Sequence, residues 1–191
     1  MRRSAFEWFR ARASARGRGH TAPGPSPYAG QEVREIKALS AEEIRGYLTG
    51  EGMGLAKAAE LNGYPGPAHV LELAAELEMT SEQRAKTEAV LAAMHVKATS
   101  LGEALVEAER RLDQLFAAKT ATSESVAAAL DEIGALQANV RGAHLEAHLA
   151  ESEILTAAQS ARYAQLRHYG SASANPEHAG PQPRSSPHMH H

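Results

Sequence analysis

Two consecutive stretches of this chain carry the same apolar spacing. In the first, Leu91, Met94, Ala98, Leu101, Leu105, Ala108, Leu112 and Leu115 alternate intervals of three and four; in the second, Val126, Ala129, Ile133, Leu136, Val140, Ala143, Ala147 and Ala150 do the same. A seam repeating in this way faces one partner along its whole length and favours a left-handed pair of helices. Only residues 119–123 separate the two stretches, so the helices must be antiparallel neighbours joined by a turn. Composition agrees. At 43% apolar but only 5% aromatic, the core must be Leu, Ala, Ile and Val, which suits closely spaced helices better than a sandwich or barrel.

The helix starts are written in repeated words. Met79 is followed by Thr80-Ser81-Glu82-Gln83, and Leu155 by Thr156-Ala157-Ala158-Gln159. Thr-x-x-Gln is a capping box: the threonine hydroxyl accepts from the backbone N–H three residues on, and the glutamine reaches back to the N-cap N–H. Ser40 opens a short helix to about Thr49, glycines at 50, 52 and 54 break the chain, and Leu55 to Leu61 reads as a second short helix. Residues 63–67 form a further break, with Pro67 suited to the first position of a helix that runs through His69 to Leu77. The expected fold class is therefore all-α: a long antiparallel helical hairpin with flanking shorter helices, about four main helices plus two short N-terminal ones. The expected segments are a basic arm and Pro/Gly linker over 1–30, the short helices over 31–66, the hairpin domain over 67–170 and a His/Pro-rich tail over 171–191, with arm and tail disordered.

Charge is divided unevenly. Residues 1–27 carry six arginines against Glu7, whereas 28–170 carry 13 basic and 21 acidic side chains, about -8. Phosphate binding needs clustered Lys and Arg, so an acidic body argues against a nucleic-acid partner. Without cysteine there is no disulfide framework and no Cys-type metal or redox site. No run of 18 apolar residues predicts a membrane-spanning helix. The arginine-rich N-terminus lacks the apolar h-region of a secretory signal. Metalloprotease, nucleophile-elbow, Rossmann and Walker patterns are all absent, and the carboxylates fall on solvated helix faces, so no enzymatic activity is expected.

Candidate chemistry rests on histidine. His144 and His148 stand one turn apart on one helix face, with Glu151 three residues further on, a spacing that can chelate Zn, Ni or Cu without distorting the helix. Centring the turn near residue 120 sets residue 95 opposite residue 145. Met94 and Ala143 then share one heptad position and His95 and His144 the flanking one, so both imidazoles fall on the same side of the pair. His95, His144, His148 and Glu151 are thus a candidate metal site, and His188, His190 and His191 beside Met189 a second, flexible one. No cofactor is otherwise required. The bland reading is that these histidines decorate a solvated rim. Leu130, Leu145 and Leu149 lie off the stripe and are available for client contact, for dimer packing or for cover by the N-terminal helices. The stripes could equally serve a structural module that binds another helical protein.

The twin Thr-x-x-Gln motifs around a long hairpin, over roughly residues 67–169, resemble the LTxxQ family of Spy/CpxP-like periplasmic proteins. The resemblance implies an all-α homodimer in the periplasm, acting without ATP as an envelope-stress chaperone that holds non-native protein clients, or working with a membrane-bound regulatory partner. Heavy-metal-responsive relatives imply the alternative, a metal sensor or resistance protein. Such relatives place ligands in the first hairpin helix, where this chain offers His69 and Glu72, and just before the second motif. The basic cradle of the chaperones has no counterpart in this acidic body.

Overall fold

A computed structural model describes residue 24 and residues 26–169. The basic arm and the histidine tail lie outside the described residues. Residues 26–33 form a small unit of turns, in which Ala29 N donates to Ser26 O at 2.9 Å and Gln31 N to Tyr28 O at 3.0 Å. From residue 34 onward the described chain is one helical unit. Its elements are α1 (Ala41–Thr49), α2 (Lys57–Glu60), α3 (Pro67–Glu72), α4 (Ser81–Ala117), α5 (Ser123–Ile154) and α6 (Ala157–Leu166), with no strand among the described residues.

The helix ends follow from local chemistry. Ser40 Oγ accepts from Glu43 N, and Glu43 Oε2 accepts from Ser40 N at 2.8 Å, which opens α1. Thr80, Thr122 and Thr156 open α4, α5 and α6 with the same reciprocal box. The helical turn begun by Pro67 is shorter than its apolar pattern suggests: α3 proper ends at Glu72, and the chain closes in turns up to Glu78. There Met79 N donates to Ala74 O and Glu78 N to Ala75 O, with Glu78 at φ 51, a Schellman closure carried by a non-glycine residue. Lys119 closes α4 in the same way, with φ 56 and Thr120 N donating to Leu115 O.

Packing then follows the stripes. Every stripe position on α4 and α5 is buried or half-buried, and Leu105, Ala108, Ile133 and Val140 form the middle of the seam. Burying a Leu or Ile there contributes on the order of 1.5–3 kcal/mol. By length and composition a window of α4 could cross a membrane, with a mean hydropathy of 1.2, yet α4 packs against α5, α1 and α3. Residues 34–66 are part of the same unit: Ile36 and Leu39 bury with Val106, and α1 lies against α4. Gly102 sets that approach, because a Cβ there would lie 2.1 Å from Tyr47 O. At the other end Val70, Leu77, Leu155 and Tyr163 gather α3, the α5–α6 junction and α6 into a second core.

The two capping glutamines meet. Gln83 Nε2 donates to Gln159 Oε1 at 2.8 Å, and Gln159 Nε2 donates to Gln83 Oε1 at 3.1 Å. Each amide also donates to a carbonyl at the end of a preceding helical segment, Gln83 to Ile154 O at 3.0 Å and Gln159 to Leu77 O at 3.1 Å. Each Oε1 meanwhile accepts its own N-cap N–H. Thr-x-x-Gln is therefore a pair of caps and a clasp: it ties the starts of α4 and α6 to each other and to the ends of α5 and the α3 turn.

Candidate functional site

The α5 helix presents His144 and His148 one turn apart, toward the space that α3 and the residue 50–52 loop leave beside the hairpin. His69, Met94, His95, His144 and His148 line one pocket of about 200 Å³, walled by Gly50, Gly52, Gly66 and Pro67. His95 sits on α4 and is exposed, while His144 is almost wholly buried. The heptad phasing brings these two to the same side of the pair. His69 reaches them from α3, across the break at residues 63–66.

Burial holds the His144 pKa below its ordinary value, and the neighbouring His148 and His95 lower it further. His144 is therefore neutral at pH 7 and keeps one lone pair on its ring. Its Nε2 is buried and has no hydrogen-bond partner, which is costly unless something else occupies that lone pair or proton. His148 Nδ1 lies 2.8 Å from Tyr64 O. A carbonyl can only accept, so Nδ1 carries the proton, and in the neutral ring the lone pair is left on Nε2.

Glu60, at the end of α2, is the residue that the sequence pattern did not reveal. Its carboxylate is buried and works as a hub: Oε1 accepts from the Tyr163 hydroxyl and from Tyr169 Oη at 2.8 Å. Oε2 accepts from Gly66 N at 3.1 Å. His69 Nδ1 stands 3.5 Å from Oε1, His148 Nδ1 3.6 Å from Oε2, and Arg167 Nε 4.0 Å from Oε1. A larger pocket of about 430 Å³, lined by Met53, Lys57, Glu60, His69, His148 and Tyr169 among others, opens on its far side. The only sequence signal near Glu60 is the Gly-Tyr-Pro-Gly break at residues 63–66, which turns the chain back so that Gly66 meets the carboxylate.

Glu151 needs a correction. It does not line the imidazole pocket but is fully buried, its Oε1 accepting from Thr87 Oγ1 at 2.9 Å. Seven residues beyond His144 is about 10 Å along a helix at 1.5 Å per residue, too far for one ion. Burial raises its pKa, opposed by the Thr87 hydrogen bond, and Oε2 has no partner. Thr80 and Thr156 are engaged as helix caps, and Gln83 and Gln159 in the caps and the clasp, rather than in the imidazole pocket. His188, His190 and His191 lie outside the described residues. Among the described residues no three His, Asp or Glu side chains are already gathered as a group that could hold a metal ion. The donors share a pocket, and their chemistry, imidazole with a thioether and a nearby carboxylate, suits Zn, Ni or Cu; their present rotamers do not converge.

A family model described as heavy-metal resistance matches residues 52–162, more than half of the chain. No curated protein and no solved structure matches.

Proposed function

Since the chain belongs to the heavy-metal resistance family, we propose that it is a non-enzymatic protein that binds a borderline divalent ion, Zn, Ni or Cu, through the imidazole pocket between α3, α4 and α5. The observation that carries this reading is the unpartnered Nε2 of a neutral, buried histidine in a pocket shared with three further imidazoles and the Met94 thioether. His144 and His148 are the central ligands, His69 and His95 complete the nitrogen set, and Glu60 is the nearest anion. A bound ion supplies positive charge that no side chain in the pocket offers while its imidazoles are neutral. Because imidazole must be deprotonated to ligate, binding weakens as pH falls below the histidine range. Export to the periplasm and assembly as a homodimer, both implied by the family likeness, belong to the same proposal.

Calorimetric titration of the full chain with Zn²⁺, Ni²⁺ and Cu²⁺ at pH 7.5 tests it, using a background in which His188, His190 and His191 are replaced so that the tail does not contribute. Binding tighter than about 100 μM that is lost in His144→Ala and His148→Ala supports the pocket. No such binding, or binding indifferent to both substitutions, removes it.

A second reading, an ATP-independent holder of non-native clients, has one observation in its favour. Val96, Phe116, Leu130 and Leu149 remain exposed on the hairpin, and the short helices do not cover them. Suppressed aggregation of a denatured test protein at near-stoichiometric ratio, reduced in Val96→Ser/Leu149→Ser, is the expected result; no suppression discards the reading.

A further inference from the structure

Glu60 is saturated in a way that couples the imidazole pocket to the C-terminal helix. A carboxylate offers about four lone-pair positions. Both of those on Oε1 are taken by phenols, Tyr163 and Tyr169, with the Arg167 guanidinium 4.0 Å away. On Oε2 one position is taken by Gly66 N. The other is faced by His148 Nδ1 at 3.6 Å, and that nitrogen carries a proton because it donates to Tyr64 O. An N–H there leaves no ligand pair for an ion between His148 Nδ1 and Oε2. The remaining approach is on the Oε1 side, where His69 Nδ1 stands 3.5 Å away and where the α6 end already holds both positions.

We propose that the end of α6, through Tyr169, Arg167 and Tyr163, is a latch that competes with the metal ion for Glu60, so that Glu60 can ligate only by releasing it. The inference rests on the metal-binding reading above. Two features sharpen the competition. Arg167 and a divalent ion are both cations drawn to one carboxylate, so close approach of one disfavours the other. The Tyr169 ring also packs on Tyr163, with ring centroids 6.4 Å apart, and the Arg167 guanidinium lies 5.9 Å from the Tyr169 centroid. The latch is thus one packed unit, and loss of Tyr169 from Glu60 loosens the others with it. Released, the α6 end would uncover part of the Val70, Leu77, Leu155 and Tyr163 core, which turns occupancy of the pocket into a change on α6.

Amide hydrogen exchange of the full chain with and without Ni²⁺, alongside Ni²⁺ affinities of the wild type, Tyr169→Phe, Glu60→Gln and the double variant, tests the latch. Tyr169 is half-buried, and its phenylalanine variant keeps the ring packing, so folding is preserved; a thermal melt checks this. The expected result is faster exchange over residues 160–169 when Ni²⁺ is bound, about tenfold tighter binding in Tyr169→Phe, the worth of one hydrogen bond to a charged group, and loss of that gain when Glu60→Gln is added. Unchanged or slower exchange in α6, or an unaltered affinity in Tyr169→Phe, overturns the latch while the pocket stands. A wild type that binds no ion overturns both.

Discussion

Replacing Gln83 by alanine removes four hydrogen bonds at once. Its Oε1 accepts from Thr80 N at 3.1 Å and from Gln159 Nε2 at 3.1 Å, and its Nε2 donates to Gln159 Oε1 at 2.8 Å and to Ile154 O at 3.0 Å. The cap bond is exposed and worth about 0.5 kcal/mol, whereas the three half-buried bonds contribute about 1 kcal/mol each. Gln83→Ala should therefore cost about 3–4 kcal/mol. Gln159→Ala, with its bonds to Thr156 N and Leu77 O, should cost a similar amount. The two amide-to-amide bonds are counted in both single variants, so the double variant should fall short of the sum by about 2 kcal/mol. Urea unfolding followed by far-UV circular dichroism measures all four corners of the cycle. Gln83→Glu adds a control: it keeps an acceptor for the Thr80 N–H but sets an oxygen against Gln159 Oε1 and Ile154 O, so it should lose more than Thr80→Ala, which removes one cap at about 1 kcal/mol. A coupling below about 0.5 kcal/mol, within the scatter expected of independent sites, would refute the clasp and leave two separate caps.

Other positions give equally direct tests. Gly102→Ala should destabilise by about 2–3 kcal/mol or more, because its Cβ would meet backbone at Tyr47 O rather than a side chain that can swing away; a change below about 0.5 kcal/mol in the same unfolding assay would mean that α1 shifts freely. Lys119→Gly should stabilise by about 0.5–1 kcal/mol, since it relieves a lysine held at φ 56 in an exposed turn. The pKa of His144 is lowered in the folded state, so the unfolded chain takes up the proton more readily: its contribution to stability is full above about pH 6.5 and is lost as pH falls below that ordinary value. The slope of stability between about pH 6.5 and 5 should accordingly flatten in His144→Leu. Glu151 runs the other way. Its raised pKa gives stability that is full below the ordinary 4.5 and is lost as pH rises through the folded value, so Glu151→Gln should be more stable than wild type at pH 8 and no more stable at pH 4, by thermal melts.

What the sequence by itself determined about this protein is whatever one helix can encode. The alternating stripe from Leu91 to Leu115 and from Val126 to Ala150 specifies faces, and a short link between two such faces leaves only an antiparallel hairpin. Thr80 and Thr156 start helices because a hydroxyl three residues before an N–H caps it wherever the chain goes. The same phasing placed His95 and His144 on one side, because a heptad register is a statement about a pair of helices once the turn is known. Glu151 went wrong at this level, since helical periodicity marks a shared face but not the distance along it.

Only the tertiary structure decided which caps bond to each other, that Gly102 is where α1 rests, and that Glu60, from a four-residue helix with no periodic signature, stands between His69, His148, Tyr163 and Tyr169. These contacts join positions up to about a hundred residues apart in the chain, and the route between them runs through turns at residues 61–66 and 155–156 whose directions no repeat records. Periodicity is set by a residue's near neighbours and is therefore written locally. A hub of hydrogen bonds is set by where whole helices come to rest, which is a property of the packed chain.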